Sequence, residues 1–77
     1  MNTDIALAIH KHEEAARVYL QLANDNLAVA MHETRWTRKH EYLGYAEDYS
    51  LLASKEMTKA HRLLSDELHK ANLPVNK

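Results

Sequence analysis

A chain of 77 residues is long enough for one domain only, and its folding would bury about 60 to 65% of the unfolded surface, which is little for a stable monomer. Ten Lys and Arg residues balance eleven Asp and Glu, so no strong net charge attracts the protein to nucleic acid or anionic lipid. Cysteine is absent, which excludes disulfide frameworks, thiolate zinc sites and cysteine nucleophiles.

The composition favours a helical protein. Gly44 and Pro74 are the only Gly and Pro residues, and Ala, Leu, Glu and Lys are abundant, so few residues would end a helix. The amino-terminal segment has neither a basic stretch nor a long apolar run. We therefore expect no signal peptide, no membrane span and a cytoplasmic location.

The first predicted helix begins near residue 4, with Thr3 as its N-cap and Asp4 in the first turn. Placed on a helical wheel, its apolar residues cover one side that is roughly 200° wide. The polar segment 24–26 lies mostly on the opposite side, so the pattern predicts one helix running through it. The apolar side consists of Ile5, Ala8, Ile9, Ala15, Ala16, Tyr19, Leu20, Leu22, Ala23, Leu27, Val29, Ala30 and Met31.

A second apolar stripe begins near Tyr42 and is centred about 140° away from the first on the same wheel. One continuous helix cannot direct both stripes at a single core, so the chain must break between residues 32 and 41. This predicts an all-α fold, a long antiparallel helical hairpin with helices at about 4–36 and 40–72. The second stripe consists of Tyr42, Tyr45, Tyr49, Leu52, Ala53, Met57, Ala60, Leu63, Leu64, Leu68 and Ala71.

We expect residues 1–77 to form a single helical domain, with 73–77 as a loose tail after the helix ends before Pro74. The alternative fold is a three-helix bundle with turns at 24–26 and at Gly44. In the hairpin, the first helix has a wider apolar side than one neighbouring helix can cover. A homodimer that forms a four-helix bundle would cover the remainder, as would another protein.

The corner between the two helices, 32–42, carries basic and aromatic side chains of the kinds that form protein–protein hot spots. In the simplest structural interpretation, Trp36 covers the end of the core and the basic residues are solvated. Nucleic-acid binding by the basic cluster Arg35–His40 is the alternative, although neighbouring acidic residues dilute its positive field. The candidate partner-binding residues are Arg35, Trp36, Arg38, Lys39, Tyr42, Tyr45 and Tyr49.

Six histidines are present, but they lack the paired Glu-x-x-His spacing with which helices hold metal ions. His12 lies near the centre of the first apolar stripe, and we interpret it as a buried polar residue that is hydrogen-bonded across the bundle to Tyr or Glu. No motif for catalysis or phosphate binding occurs. The sequence thus predicts a small cytoplasmic protein-binding module (an adaptor, regulator or stoichiometric inhibitor) with no catalytic residues, cofactor or metal.

Overall fold

Two long helices packed side by side form the structure. The computed structural model describes residues 2–72, in which α1 spans Thr3–His32 and α2 spans Trp36–Asn72. His12 contacts Glu56 and Tyr19 contacts Tyr49, so the two helices run antiparallel. This confirms the predicted all-helical hairpin. The predicted loose tail, 73–77, lies outside the described residues.

Asn2 caps the amino terminus of α1. Its Oδ1 accepts a hydrogen bond of 2.7 Å from the backbone N–H of Asp4, and Thr3 is the first helical residue. Asn is as effective an N-cap as Ser or Asp, and Asp4 in the first turn complements the positive end of the helix dipole. The prediction of Thr3 as the cap was therefore wrong by one residue.

A three-residue connection, 33–35, joins the helices inside the predicted window. The N–H of Glu33 donates to the carbonyl of Ala30 (3.3 Å), and Oε1 of Glu33 accepts from the N–H of Arg35 (3.0 Å). Because Glu33 closes both sides of this turn, α1 ends at His32 rather than at residue 36. For the same reason α2 begins at Trp36 rather than at residue 40.

The three-helix alternative is wrong over the described residues. Segment 24–26 lies inside α1, where Asn26 donates to the carbonyl of Leu22 (2.8 Å) and Gln21 donates to Asp25 (2.9 Å). Gly44 lies inside α2. The polar side chains of Asp25 and Asn26, which would favour a turn, thus form hydrogen bonds within the helix.

The contact between the helices is a narrow seam built on alanine. Among the described residues, each helix buries three alanines spaced seven residues apart, all with at most 9% of their surface exposed. Seven-residue spacing keeps a row facing a partner helix, and side chains this small let the two backbones approach closely. The alanines are Ala16, Ala23 and Ala30 in α1 and Ala46, Ala53 and Ala60 in α2.

A second row of larger, half-buried side chains lies beside the alanines. It also repeats every seven residues, and it consists of Ile5, His12, Tyr19 and Asn26 in α1 and Tyr42, Tyr49, Glu56 and Leu63 in α2.

Several residues of the predicted apolar side of α1 do not reach this seam. Leu20, Leu27 and Met31 expose 48%, 43% and 69% of their surface. A two-helix contact uses only a narrow stripe of each helix, so residues on its flanks stay in water.

Neither helix contains, within the described residues, a stretch long and apolar enough to cross a bilayer.

Candidate interaction surfaces

A polar cluster interrupts the seam. Nδ1 of His12 donates to Oε1 of Glu56 over 2.8 Å, since a carboxylate at neutral pH can only accept. Nζ of Lys59 donates to the other carboxylate oxygen, Oε2, over 3.0 Å. The His12 and Glu56 side chains are 32% and 17% exposed, so His12 is half-buried rather than buried. The pair joins the two helices across 44 positions of the sequence.

The hydrogen bond from His12, followed by that from Lys59, lowers the pKa of the Glu56 carboxyl below its ordinary value. A carboxyl group whose pKa is lower in the folded state stabilises the fold above its unfolded pKa. It loses that contribution as the pH falls through the folded pKa. The cluster thus stabilises the hairpin at neutral pH and loses this effect in acid.

We expect Glu56→Gln to lower the melting temperature at pH 7, because an amide lacks the charge that strengthens both hydrogen bonds. The difference from the wild type should shrink as the pH falls below about 4.3, where glutamate ordinarily protonates. Thermal unfolding followed by circular dichroism at pH 7, 5, 4 and 3 measures this difference in melting temperature. Glu14→Gln is the control, since Glu14 forms only an exposed pair with Arg17 at 3.5 Å. A constant difference at all four pH values would contradict the assignment.

The six histidines do not assemble into a metal site in the structure. Over the described residues, no three His, Asp or Glu side chains come close enough together to hold a metal ion.

Two of the candidate partner-binding tyrosines take part in the hairpin itself. Tyr49 stacks on Tyr19 with 6.2 Å between ring centroids and 25° between ring planes. Tyr42 packs edge-on against Tyr45 at 5.9 Å. Tyr42 and Tyr49 are half-buried in the seam, whereas Tyr45 is 44% exposed. Of these three residues, Tyr45 presents the largest free surface to a partner.

The hairpin tip carries the remaining candidates. Arg35, Trp36 and Arg38 are exposed, and Lys39 is half-buried at the end of the seam. Trp36 exposes 73% of its surface and stacks on His40 of the next helical turn, with 6.0 Å between centroids. The interpretation of Trp36 as a cover for the core is therefore wrong.

Trp36 and Tyr45 are nine residues apart in one helix, which places them about 180° apart around its axis. The candidate cluster is thus split between two sides of the hairpin.

One side of the hairpin, which we call the apolar face, is formed by two rows that flank the alanine seam. Glu13 shares a shallow groove of about 110 Å³ with Met57 and Leu64, which places the two rows on the same side. Each row continues in steps of seven residues. The large apolar members of the apolar face are Leu20 and Leu27 of α1 and Trp36, Leu43, Met57 and Leu64 of α2.

The opposite side, which we call the tyrosine face, has a different composition. Its rows contain Leu22 and Val29 of α1 and Arg38, Tyr45, Leu52, Lys59 and Asp66 of α2. A groove of about 230 Å³ lies on this side, lined by His12, Lys59, Arg62, Leu63 and Asp66. This face therefore mixes apolar, aromatic and charged side chains.

The division into two faces did not emerge from the sequence analysis. The seven-residue spacing of the six buried alanines was the signal that could have located the seam, and with it the flanking rows.

Comparison with known proteins adds no relative: no family model, curated protein or solved structure matches this chain.

Proposed function

We propose that this chain is a small, non-enzymatic protein-binding module that acts as a homodimer. Two hairpins pack into a four-helix bundle, and the surface that remains exposed binds another protein. The observation that supports this most strongly is the exposure of large apolar side chains along both flanks of the seam. Leu20, Leu43, Tyr45, Leu52 and Met57 each expose between 38% and 48% of their surface.

The buried core of one hairpin is small in comparison. The buried residues described by the structure are alanines, and each removes little apolar area from water. Covering the exposed part of such a leucine or methionine would add roughly 1 kcal/mol each. A chain of this size has a narrow margin of stability, so covering a flank of the hairpin contributes a large share of it.

The total surface supports the same proposal. The chain exposes 6094 Å², whereas a compact monomer of 8.9 kDa exposes about 4,800 Å². The excess is roughly 1,300 Å², and a standard interface buries about 800 Å² of each partner. One hairpin therefore has enough surface for a dimer contact.

The two faces suit two kinds of contact. The apolar face resembles the interior of a homodimer, in which charged residues are scarce. The tyrosine face presents Tyr45 and Arg38, residue types that are enriched at interfaces between different proteins. We therefore propose that the tyrosine face binds a different protein.

The solution mass across a dilution series tests the assembly. Light scattering should give twice the 8.9 kDa chain mass at high concentration. Circular dichroism should show high helicity that declines as the dimer dissociates. A monomer with unchanged helicity at every concentration would contradict the dimer.

Partner capture tests the second contact. Tyr45→Ala should weaken capture of the bound protein while leaving helicity and solution mass unchanged. Leu51→Ala is the matched control, because Leu51 is 58% exposed on the outer side of α2. Equal capture by both variants would contradict the assignment. Binding to nucleic acid that falls steeply with salt would instead support the basic tip as the binding site.

A further inference from the structure

We infer that two copies of this chain meet through the apolar face, and that the tyrosine face stays free in the dimer. This inference rests on the proposed function and adds to it the surface that forms the dimer. A second copy of the same hairpin therefore covers the apolar face and packs across Leu20, Leu27, Leu43, Met57 and Leu64.

Charge distinguishes the two faces. In the rows of the apolar face, Glu13 is the one ionisable residue, and it lines the same groove as His61, which can donate a hydrogen bond to it. The α2 row of the tyrosine face contains Arg38, Lys59 and Asp66. Burying a charge is costly unless it is paired with good geometry. The apolar face can therefore be dehydrated at much lower cost.

The size of the apolar face matches what a dimer needs. Leu43 and Leu64 are 21 residues apart in one helix, which corresponds to about 32 Å. Two adjacent helices are roughly 20 Å wide, so the projected footprint is roughly 650 Å² and the accessible surface within it is larger. A standard interface buries about 800 Å² of each partner. Met31 and Leu68, which are 69% and 52% exposed, lie in the next rows outward on the same side, together with Arg17 and Glu47.

A second copy fits this surface because a two-fold contact places the same patch on both subunits. Apolar packing is non-directional, so a patch of leucine and methionine is complementary to itself without matched charges. Two hairpins joined in this way form two layers with a shared core, which is the architecture of a four-helix bundle.

A matched pair of substitutions tests the assignment. Leu43 and Leu52 are 39% and 38% exposed and lie on opposite sides of α2, one on each face. Leu43→Lys should raise the dimer dissociation constant by about tenfold or more, because the symmetric contact would bury two unpaired ammonium groups. Leu52→Lys should leave the dissociation constant unchanged. Sedimentation or light scattering across a dilution series measures both.

The outcomes separate this inference from the proposed function. If Leu52→Lys dissociates the dimer and Leu43→Lys does not, the face assignment is overturned and the dimer stands. Dissociation by both variants also overturns the assignment to one face. A wild-type chain that is monomeric at every concentration overturns both the inference and the dimer.

A second experiment does not depend on a disruptive variant. The chain has no cysteine, so a single introduced thiol reports on its own surroundings. Ser50→Cys lies in the α2 row of the apolar face, and Ser65→Cys lies on the outer side of α2; both positions are exposed in the hairpin. Alkylation of Ser50→Cys should be slower at high protein concentration than after dilution, whereas Ser65→Cys should react at one rate. A rate at Ser50→Cys that does not depend on concentration would overturn the inference.

Discussion

Gly44→Pro should break α2 near its amino-terminal end and destabilise the hairpin, with an expected loss of about 3 kcal/mol or more. Gly44 is the ninth residue of a helix that spans 37 residues, beyond the first turn in which proline is tolerated. Proline there removes a backbone donor, and its ring clashes with the carbonyl one turn earlier. The loss is a large part of the stability expected for a chain of this size. Thermal and urea unfolding followed by circular dichroism measure it.

Gly44→Ala is the matched control and should act in the opposite direction. A Cβ atom at position 44 meets nothing within 4 Å, and no described glycine has a positive φ angle. Alanine should therefore stabilise the helix by about 0.5–1 kcal/mol. A glycine that ended a helix in the left-handed conformation, as in the three-helix alternative, would give a destabilising alanine instead. The sign of the alanine effect thus decides between the two folds.

The hairpin could be predicted from the sequence because the direction of the apolar side changes between the two halves. Within one helix the apolar side keeps one direction on the helical wheel. The change of about 140° in that direction predicts a break near 32–41, and the connection 33–35 confirms it. The helix ends were less accurate, because the hydrogen bonds of Glu33 close the turn in three residues. No pattern of apolar residues contains that contact.

The composition of the seam could not be read from the same wheel. On a wheel with 100° per residue, the alanines of the seam and the larger residues beside them fall on one side, so the pattern assigns Leu20 and Leu27 to the same surface as Ala23. In the structure Ala23 is 5% exposed, while the two leucines are nearly half exposed. Alanine carries little weight in a hydrophobic pattern, yet its small size lets it occupy the closest contact.

The polar residues of the seam show a second limit of sequence reasoning. His12 was predicted to bond across the bundle to Tyr or Glu, and the structure pairs it with Glu56. The acceptor of His12 depends on the register of the two helices, because His12 and Glu56 are 44 residues apart in the sequence. The tip shows the same limit, since Trp36 could contact the core or solvent depending on where α2 begins.

Ala23→Leu should destabilise the hairpin by about 1–3 kcal/mol. Ala23 lies in the alanine seam between the two helices and has 5% of its surface exposed, so three additional carbon atoms have little space there. To fit them, the backbones must move apart, and the neighbouring alanine contacts at Ala16 and Ala30 would be weakened together. The free energy of unfolding from urea titrations measures the change.

Ala28→Leu is the matched control for this prediction. Ala28 is exposed in the same helix, and alanine and leucine have similar helix propensities, so this change should stay within about 0.5 kcal/mol. Equal stability of the two variants would show that α1 and α2 do not meet along the alanines. A large loss confined to Ala23→Leu would establish the seam on which both flanking faces, and therefore both proposed contacts, depend.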